Sequence, residues 1–189
     1  DWEWQRNRVA PGVPLELLFV GGDFIRKGLV YLILALKEMG GVKLNIVGTN
    51  ARPSAEVLSQ IEVESWGLVP HSQMPQIMRR HEVMVLPTLE DGIAVAIQEG
   101  MASGLVPITS PDAAEVFEDG VSGFRVPFRG VQEIREKIEW LRDHPVERLV
   151  MAEQARKRAE AQQWSQYQKD FSDIIHIALE QHQPGGTRG

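Results

Sequence analysis

Short apolar runs alternate with helical segments along most of this 189-residue chain. Such alternation predicts βαβ units, whose right-handed connections place helices on both faces of a parallel sheet. The runs are apolar at nearly every position, as expected of strands buried on both faces. We therefore predict a Rossmann-like, doubly wound α/β fold. Its six predicted strands span residues 15–20, 43–48, 63–68, 83–86, 106–109 and 123–126.

The predicted helices follow from apolar periodicity and from the glycine or proline residues at their ends. They span residues 28–39, 54–61, 72–81, 92–103 and 113–118, and then 130–142, 146–162 and 165–181 in series. Because the chain begins at Asp1 rather than at methionine, we expect it to be processed or to be a piece of a longer protein. The expected segments are a linker remnant (1–14), the α/β domain (15–163), a C-terminal helix (164–183) and a frayed tail (184–189).

Composition narrows the classes of function. The chain has no cysteine, which excludes disulfides, a thiol nucleophile and cysteine-based zinc sites. Its net charge of −6 argues against a nucleic-acid surface. No apolar run approaches the ~20 residues of a membrane span, and the charged first residues do not resemble a signal peptide.

The loop after the first predicted strand, residues 21–28, is a candidate anion site. Ligands of doubly wound sheets bind at the carboxyl ends of the strands, near the point where strand order reverses. This loop is rich in glycine, precedes a helix, and carries the adjacent cations Arg26 and Lys27, which suit a phosphate or diphosphate. It matches neither the dinucleotide fingerprint nor a Walker loop. The alternative interpretation is a solvated Arg–Lys pair on a surface turn.

The loop after the fourth predicted strand, residues 87–94, is the second candidate. Asp91 is a natural helix N-cap, and the next three residues would present free N–H groups. Glu99 follows Asp91 by eight residues, a little over two helical turns, so that both can face one crevice. A carboxylate accepts two hydrogen bonds, which suits a vicinal diol of a ribose or hexose. The alternative is a capped helix with an exposed glutamate.

Five segments follow one another in register and form a pattern, namely residues 19–28, 44–48, 66–70, 85–104 and 106–124. The fourth segment includes an E-x7-E-like motif from Asp91 to Glu99. Together, from about Leu15 to Phe171, they resemble the C-terminal half of a GT-B glycosyltransferase of family 4.

The resemblance implies roles for several residues in and near the two loops. Lys27 would neutralise the donor diphosphate and stabilise the leaving nucleotide, Asp91 would hold hydroxyls of the donor sugar, and Glu99 would hold the ribose. Lys27 and Asp91 are therefore the expected catalytic residues. The other expected donor-binding residues are Gly22 and Arg26 at the diphosphate, the backbone of Gly92, Ile93 and Ala94, and Thr49 and Leu68 beside the base.

Two positions depart from the family pattern. The first acid is usually glutamate, whereas Asp91 is one methylene shorter and Glu90 is out of register. The family often has arginine at the position of Gly22, and we expect Arg26 to take over that contact. These departures leave open a non-catalytic module of the same fold. A sugar-nucleotide epimerase is a third alternative, against which the helix end at 101–104 argues.

The resemblance further implies retaining transfer from a nucleoside-diphosphate sugar by a hexosyltransferase-type enzyme, with no metal or other cofactor. The acceptor site would belong to an N-terminal domain that this chain lacks, so that the fragment would bind donor weakly without turnover. We expect a cytoplasmic location, peripheral membrane association of the full-length enzyme, and a C-terminal helix that crosses back to the missing domain. That predicts exposed apolar surface at residues 171–178 and at Trp2 and Trp4. The alternative is that this helix folds back fully onto its own domain.

The histidines show no ligand spacing, and each is expected to be structural or superficial, although His71, in a loop at a sheet end, is the one best placed for another role. They are His71, His81, His144, His176 and His182. We expect Trp140 and Trp164 to anchor the helical tail rather than to bind sugar.

Overall fold

A computed structural model of the protein describes residues 13–48, 56, 59–91, 95–113, 116–161, 172–173 and 175. Within these ranges lies a parallel sheet in the order β3-β2-β1-β4-β5-β6. The strands are β1 (Leu15–Val20), β2 (Val42–Val47), β3 (Val63–Gly67), β4 (Val83–Leu86), β5 (Val106–Thr109) and β6 (Phe124–Arg125). The helices are α1 (Leu29–Leu36), α2 (Met74–Met78), α3 (Val95–Ala102), α4 (Val131–Asp143) and α5 (Pro145–Ala161).

The chain reverses its direction of travel across the sheet after β3. It adds β2 and β3 on one side of β1 and then returns to place β4 on the other side of β1. The loops that follow β1 and β4 therefore leave neighbouring strands at the reversal, where ligands of such sheets bind. The predicted doubly wound α/β fold is confirmed.

Burial of the strands follows their apolar sequences. Every residue of β4 and β5 is buried, and the apolar residues of β2 are buried as well. The outer strand β3 differs, because Glu64 and Ser65 are exposed there. An edge strand has a neighbour on one side only, which leaves room for polar side chains.

Helix α4 packs against α1 and donates hydrogen bonds to the backbone at the C-terminal end of α1. Ile134, Ile138 and Leu141 form the buried face of α4. The guanidinium of Arg135 donates to the carbonyl oxygens of Ala35 (3.1 Å) and Lys37 (3.0 Å), which satisfies acceptors that the end of α1 leaves unpaired. This contact holds α1 in place, and with it the loop that precedes α1.

Several predicted boundaries are wrong. The helix predicted over 28–39 ends at Leu36, and Glu38 has a left-handed φ of 59° that a helix does not accommodate. The helix predicted over 72–81 is a 3-10 turn at His71–Gln73 followed by the short α2. Residues 116–118 are not helical, which contradicts the helix predicted over 113–118, and a 3-10 turn stands at Pro111–Ala113 instead.

The strand predicted over 123–126 shortens to the two residues of β6. Residues 59–61 form a turn, and most of the helix predicted over 54–61 lies outside the described residues. The same holds for most of the helix predicted over 165–181, for Trp2, Trp4 and Trp164, and for His176 and His182. Trp140 packs edge-on against Phe124 with a centroid distance of 5.4 Å, as an anchor would.

The chain forms two compact units, Asp1–Ala159 and Glu160–Gly189. The first contains the sheet. In the second, the structure describes the last residues of α5 and residues 172–173 and 175, where Ile175 is exposed. The segment bounds expected from the sequence stay predictions. Among the described residues, no helix combines the length and apolarity needed to span a bilayer.

Candidate functional site

The loops after β1 and β4 are pressed together at the strand reversal. Gly28 has a left-handed φ of 78°, and a Cβ atom there would overlap the carbonyl oxygen of Pro87 and lie 2.7 Å from its carbonyl carbon. The carbonyl oxygen of Arg26 accepts hydrogen bonds from the Leu89 N–H (2.8 Å) and the Thr88 hydroxyl (3.2 Å). Because Gly28 permits this close approach, the loops after β1 and β4 are joined directly by hydrogen bonds.

Lys27 and Asp91 meet across these loops. The Lys27 ammonium donates to Oδ2 of Asp91 from a position 64 residues earlier in the chain. Both side chains are largely shielded, with 17% and 14% of their surfaces exposed. An ammonium carries three donors and a carboxylate two acceptor oxygens. As far as the described residues show, Lys27 therefore retains donors for an anion and Asp91 retains Oδ1 for a hydroxyl.

Arg26 places a second cation beside Lys27. Asp23 shapes this part of the loop, because its Oδ1 accepts the backbone N–H groups of Ile25 (3.1 Å) and Arg26 (3.0 Å). The Arg26 guanidinium reaches across and donates to the carbonyl oxygen of Glu90 at 3.3 Å, and its side chain is 46% exposed. Two positive charges therefore stand together at the strand reversal. Lys27 is shielded and paired with Asp91, whereas Arg26 is open to solvent with its Nε 3.8 Å from Oδ2 of Asp23.

Glu99 lies in a second cluster with His71. Nε2 of His71 lies 2.9 Å from Oε1 of Glu99, and 34% of the Glu99 side chain is exposed. His71 belongs to the turn after β3, and Glu99 to α3, which follows β4. Both stand beside a pocket of about 200 Å³, with Met74 and Met78 of α2 on its apolar wall.

The structure brings some of the predicted residues together and leaves others apart. Lys27, Asp91 and Arg26 lie together in the paired loops after β1 and β4, whereas Glu99 forms a hydrogen bond with His71 in the second cluster.

Gly22 is exposed in the loop after β1, and a Cβ there would lie 3.5 Å from the carbonyl oxygen of Gly48, so a side chain fits. Leu68 follows β3 and is 69% exposed. Thr49, Gly92, Ile93 and Ala94 lie outside the described residues. The donor-binding roles of all these residues stay predictions.

The contacts of two further residues did not follow from the sequence. His71 was expected to be structural or superficial, although its place in a loop at the carboxyl edge of the sheet sets it apart from the other histidines. Asp23 carries a recognisable signal, since aspartate commonly accepts N–H groups two and three residues later in a turn. His81 matches the structural expectation, because it is buried and its Nδ1 lies 2.7 Å from the carbonyl oxygen of Ile77.

This arrangement can bind a polyhydroxylated anion. Arg26 and Lys27 supply charge for phosphate, while Asp91 and Glu99 each keep one carboxylate oxygen for hydroxyl donors. Within the described ranges, no group of three or more histidine, aspartate or glutamate side chains is arranged to hold a metal ion.

A family model described as "Glycosyl transferases group 1" matches residues 14–144. Among curated proteins, the chain is 30% identical over 152 residues to an alpha-D-kanosaminyltransferase from Streptomyces kanamyceticus. That match covers 74% of this chain and 39% of the relative, so the chain spans well under half of the relative's length.

Solved structures show the same fold. HepE from Anabaena, crystallised with UDP-glucose, superimposes with a TM-score of 0.77 at 18% identity, over 93% of this chain and 52% of its own. The C-terminal domain of the group 1 protein LpcC from Francisella tularensis superimposes with a TM-score of 0.68 at 20% identity, over 85% of this chain and 90% of that domain.

Proposed function

Because the chain belongs to the family of glycosyl transferases group 1, we propose that it is the donor-binding half of a glycosyltransferase and binds a nucleoside-diphosphate sugar. The contact between Lys27 and Asp91 at the strand reversal carries this proposal. It places a cation suited to a diphosphate beside a carboxylate suited to a sugar hydroxyl.

The charge distribution of the site supports a diphosphate. The two bridged phosphates present several anionic oxygens, and Lys27 and Arg26 offer a point charge and a planar, multiply donating charge to them. A shielded ammonium interacts more strongly with an anion than an exposed one, because less water screens it. Lys27 would therefore contribute more to the affinity than Arg26 does.

The two carboxylates divide the rest of the donor between them. Asp91 lies next to Lys27, where the sugar bonded to the diphosphate would be. Glu99 stands in the other cluster, beside an apolar pocket, and would accept the hydroxyls of the ribose. HepE, which has the same fold, was crystallised with UDP-glucose, a ligand of the proposed class.

The finer features of the activity are also proposals. We infer transfer without a metal ion, since Lys27, Arg26 and the start of α3 would offset the charge of the leaving nucleotide. We further infer retaining hexosyl transfer, which rests on the family resemblance alone. The acceptor would be held by a separate domain of the full-length enzyme, which we place in the cytoplasm with peripheral contact to membranes. The chain by itself would bind donor without turnover.

Titration calorimetry of the chain with UDP, GDP and ADP tests the proposal. We expect binding of at least one of them at millimolar or lower concentration, in buffer with EDTA, because the cations of the site replace a metal. The matching nucleoside, which lacks phosphate, should bind far more weakly. Absence of heat with all three diphosphates would contradict the proposed function.

Replacing Glu99 with glutamine is expected to weaken nucleotide binding and to leave the fold intact. The glutamine would keep the shape of the side chain but lose the charge that strengthens hydrogen bonds from hydroxyls, so we expect affinity to fall about three- to tenfold. Glu90→Gln is the matched control, because it removes the same charge nearby while the Glu90 backbone carbonyl keeps its contact with Arg26. Equal affinities in both variants would show that Glu99 does not hold the ligand, whereas a large fall in melting temperature for Glu99→Gln would show that its role is structural.

A further inference from the structure

We propose that His71 is a positioning residue for nucleotide recognition, which fixes the Glu99 carboxylate so that its remaining oxygen meets the ribose hydroxyls. The inference rests on the proposed function, since a nucleotide must bind beside Glu99. It adds a residue that the two candidate loops do not contain.

The hydrogen bond itself defines the orientation of the carboxylate. Nε2 of His71 lies 2.9 Å from Oε1 of Glu99, and Oε2 makes no hydrogen bond to another residue that the structure describes. A glutamate side chain without such a partner samples many rotamers, and a ligand that binds it must order it at an entropic cost. The hydrogen bond from His71 would order the Glu99 side chain before the nucleotide binds. Removing His71 would therefore weaken nucleotide binding.

Both partners are attached to well-anchored backbone. His71 stands in a 3-10 turn closed by the hydrogen bond from the Gln73 N–H to the Pro70 carbonyl oxygen (2.9 Å), and the residue after this turn, Met74, is buried. Glu99 lies on α3 between the buried Ile97 and Met101. A bond between two such elements can hold a side chain in one orientation.

The exposure of the pair distinguishes positioning from a structural role. The His71 side chain is 82% exposed, and exposed pairs contribute little to stability because water competes for both groups. Removing His71 should therefore leave the free energy of unfolding nearly unchanged. Its effect should appear instead in the affinity for ligands that carry ribose hydroxyls.

The test compares His71→Ala, His71→Gln and the control Gln73→Ala, an exposed side chain of the same turn. Each 189-residue variant is titrated with the tightest binder among UDP, GDP and ADP, and with the corresponding dideoxynucleoside diphosphate. We expect His71→Ala to weaken binding of the ribonucleotide about fivefold and of the dideoxy analogue less than about twofold, as befits one exposed hydrogen bond. His71→Gln, whose amide can donate to Oε1, should restore most of the lost affinity, and Gln73→Ala should match the unaltered chain.

Four results would overturn the inference. Unchanged ribonucleotide affinity in His71→Ala would show that Glu99 needs no partner. An equal loss for both ligands, or a melting temperature lowered by several degrees, would show that His71 acts on the turn as a whole. If the unaltered chain binds none of the diphosphates, the proposed function fails and this inference with it. That last result comes from the unaltered chain alone, so it is distinguishable from a failure seen only in the variants.

Discussion

Replacing Gly28 with alanine is expected to destabilise the fold by about 3 kcal/mol or more, through backbone strain and overpacking together. The alanine Cβ would overlap the Pro87 carbonyl oxygen, so the loops after β1 and β4 would have to separate. The left-handed φ of 78° adds strain that only glycine avoids. Such a loss is a large share of the ~5–15 kcal/mol that stabilises a typical domain. Urea unfolding, with the m-value checked for constancy, measures it.

Two other glycines separate the two contributions. Gly120 also has a positive φ, of 75°, but a Cβ there would have no heavy atom within 4 Å, so Gly120→Ala isolates the backbone strain at about 1 kcal/mol. Gly40 has neither a positive φ nor a nearby atom, and Gly40→Ala should be neutral or slightly stabilising. If Gly28→Ala costs no more than Gly120→Ala, the two loops are not locked together and our description of the site is wrong.

Replacing Lys27 with methionine is expected to weaken nucleoside diphosphate binding by about ten- to a hundredfold, the value of a charge-assisted hydrogen bond converted to affinity. The variant loses the ammonium that would bind the diphosphate. It also leaves the Asp91 carboxylate, with 14% of its side chain exposed, without its partner and beside the incoming anion. Calorimetry with the diphosphate and with its nucleoside measures the effect, which should be confined to the diphosphate.

The controls for Lys27→Met separate a lost attraction from a gained repulsion. The double variant Lys27→Met with Asp91→Asn should recover part of the affinity, because it removes the unpaired carboxylate. Lys37→Met removes an exposed lysine just beyond α1 and should bind like the unaltered chain. If Lys27→Met binds the diphosphate as tightly as Lys37→Met does, Lys27 does not contact the phosphates.

Most of the strands were predicted well from the sequence, because a strand that is buried on both faces has apolar residues at nearly every position. The β1, β4 and β5 segments match their predicted ranges, since a continuous apolar run is what such strands require. The prediction of a helix over residues 113–118 was poorer, because local hydrogen bonds stabilise a turn at the end of that segment instead. There the Ser122 hydroxyl accepts the Glu118 N–H at 2.9 Å, closing a turn around Gly120.

The sequence also pointed to the loops of the site but not to the contacts within it. Arg26, Lys27, Asp91 and Glu99 were singled out because chemistry at the carboxyl ends of strands follows from the fold class. The partners of these residues did not follow. His71 and Glu99 are separated by 28 residues, and local spacing carries no information about such a pair.

Hydrophobic periodicity by itself determined the α/β class and the positions of most strands, because burial of each segment depends on its own residues. Membership in the glycosyltransferase family was likewise recognisable in motifs along the chain. Only the tertiary structure decided that β4 lies beside β1, that Gly28 meets Pro87, and that Lys27 reaches Asp91. These features depend on which strands become neighbours, and that choice is set by how all the buried faces pack together rather than by any one segment.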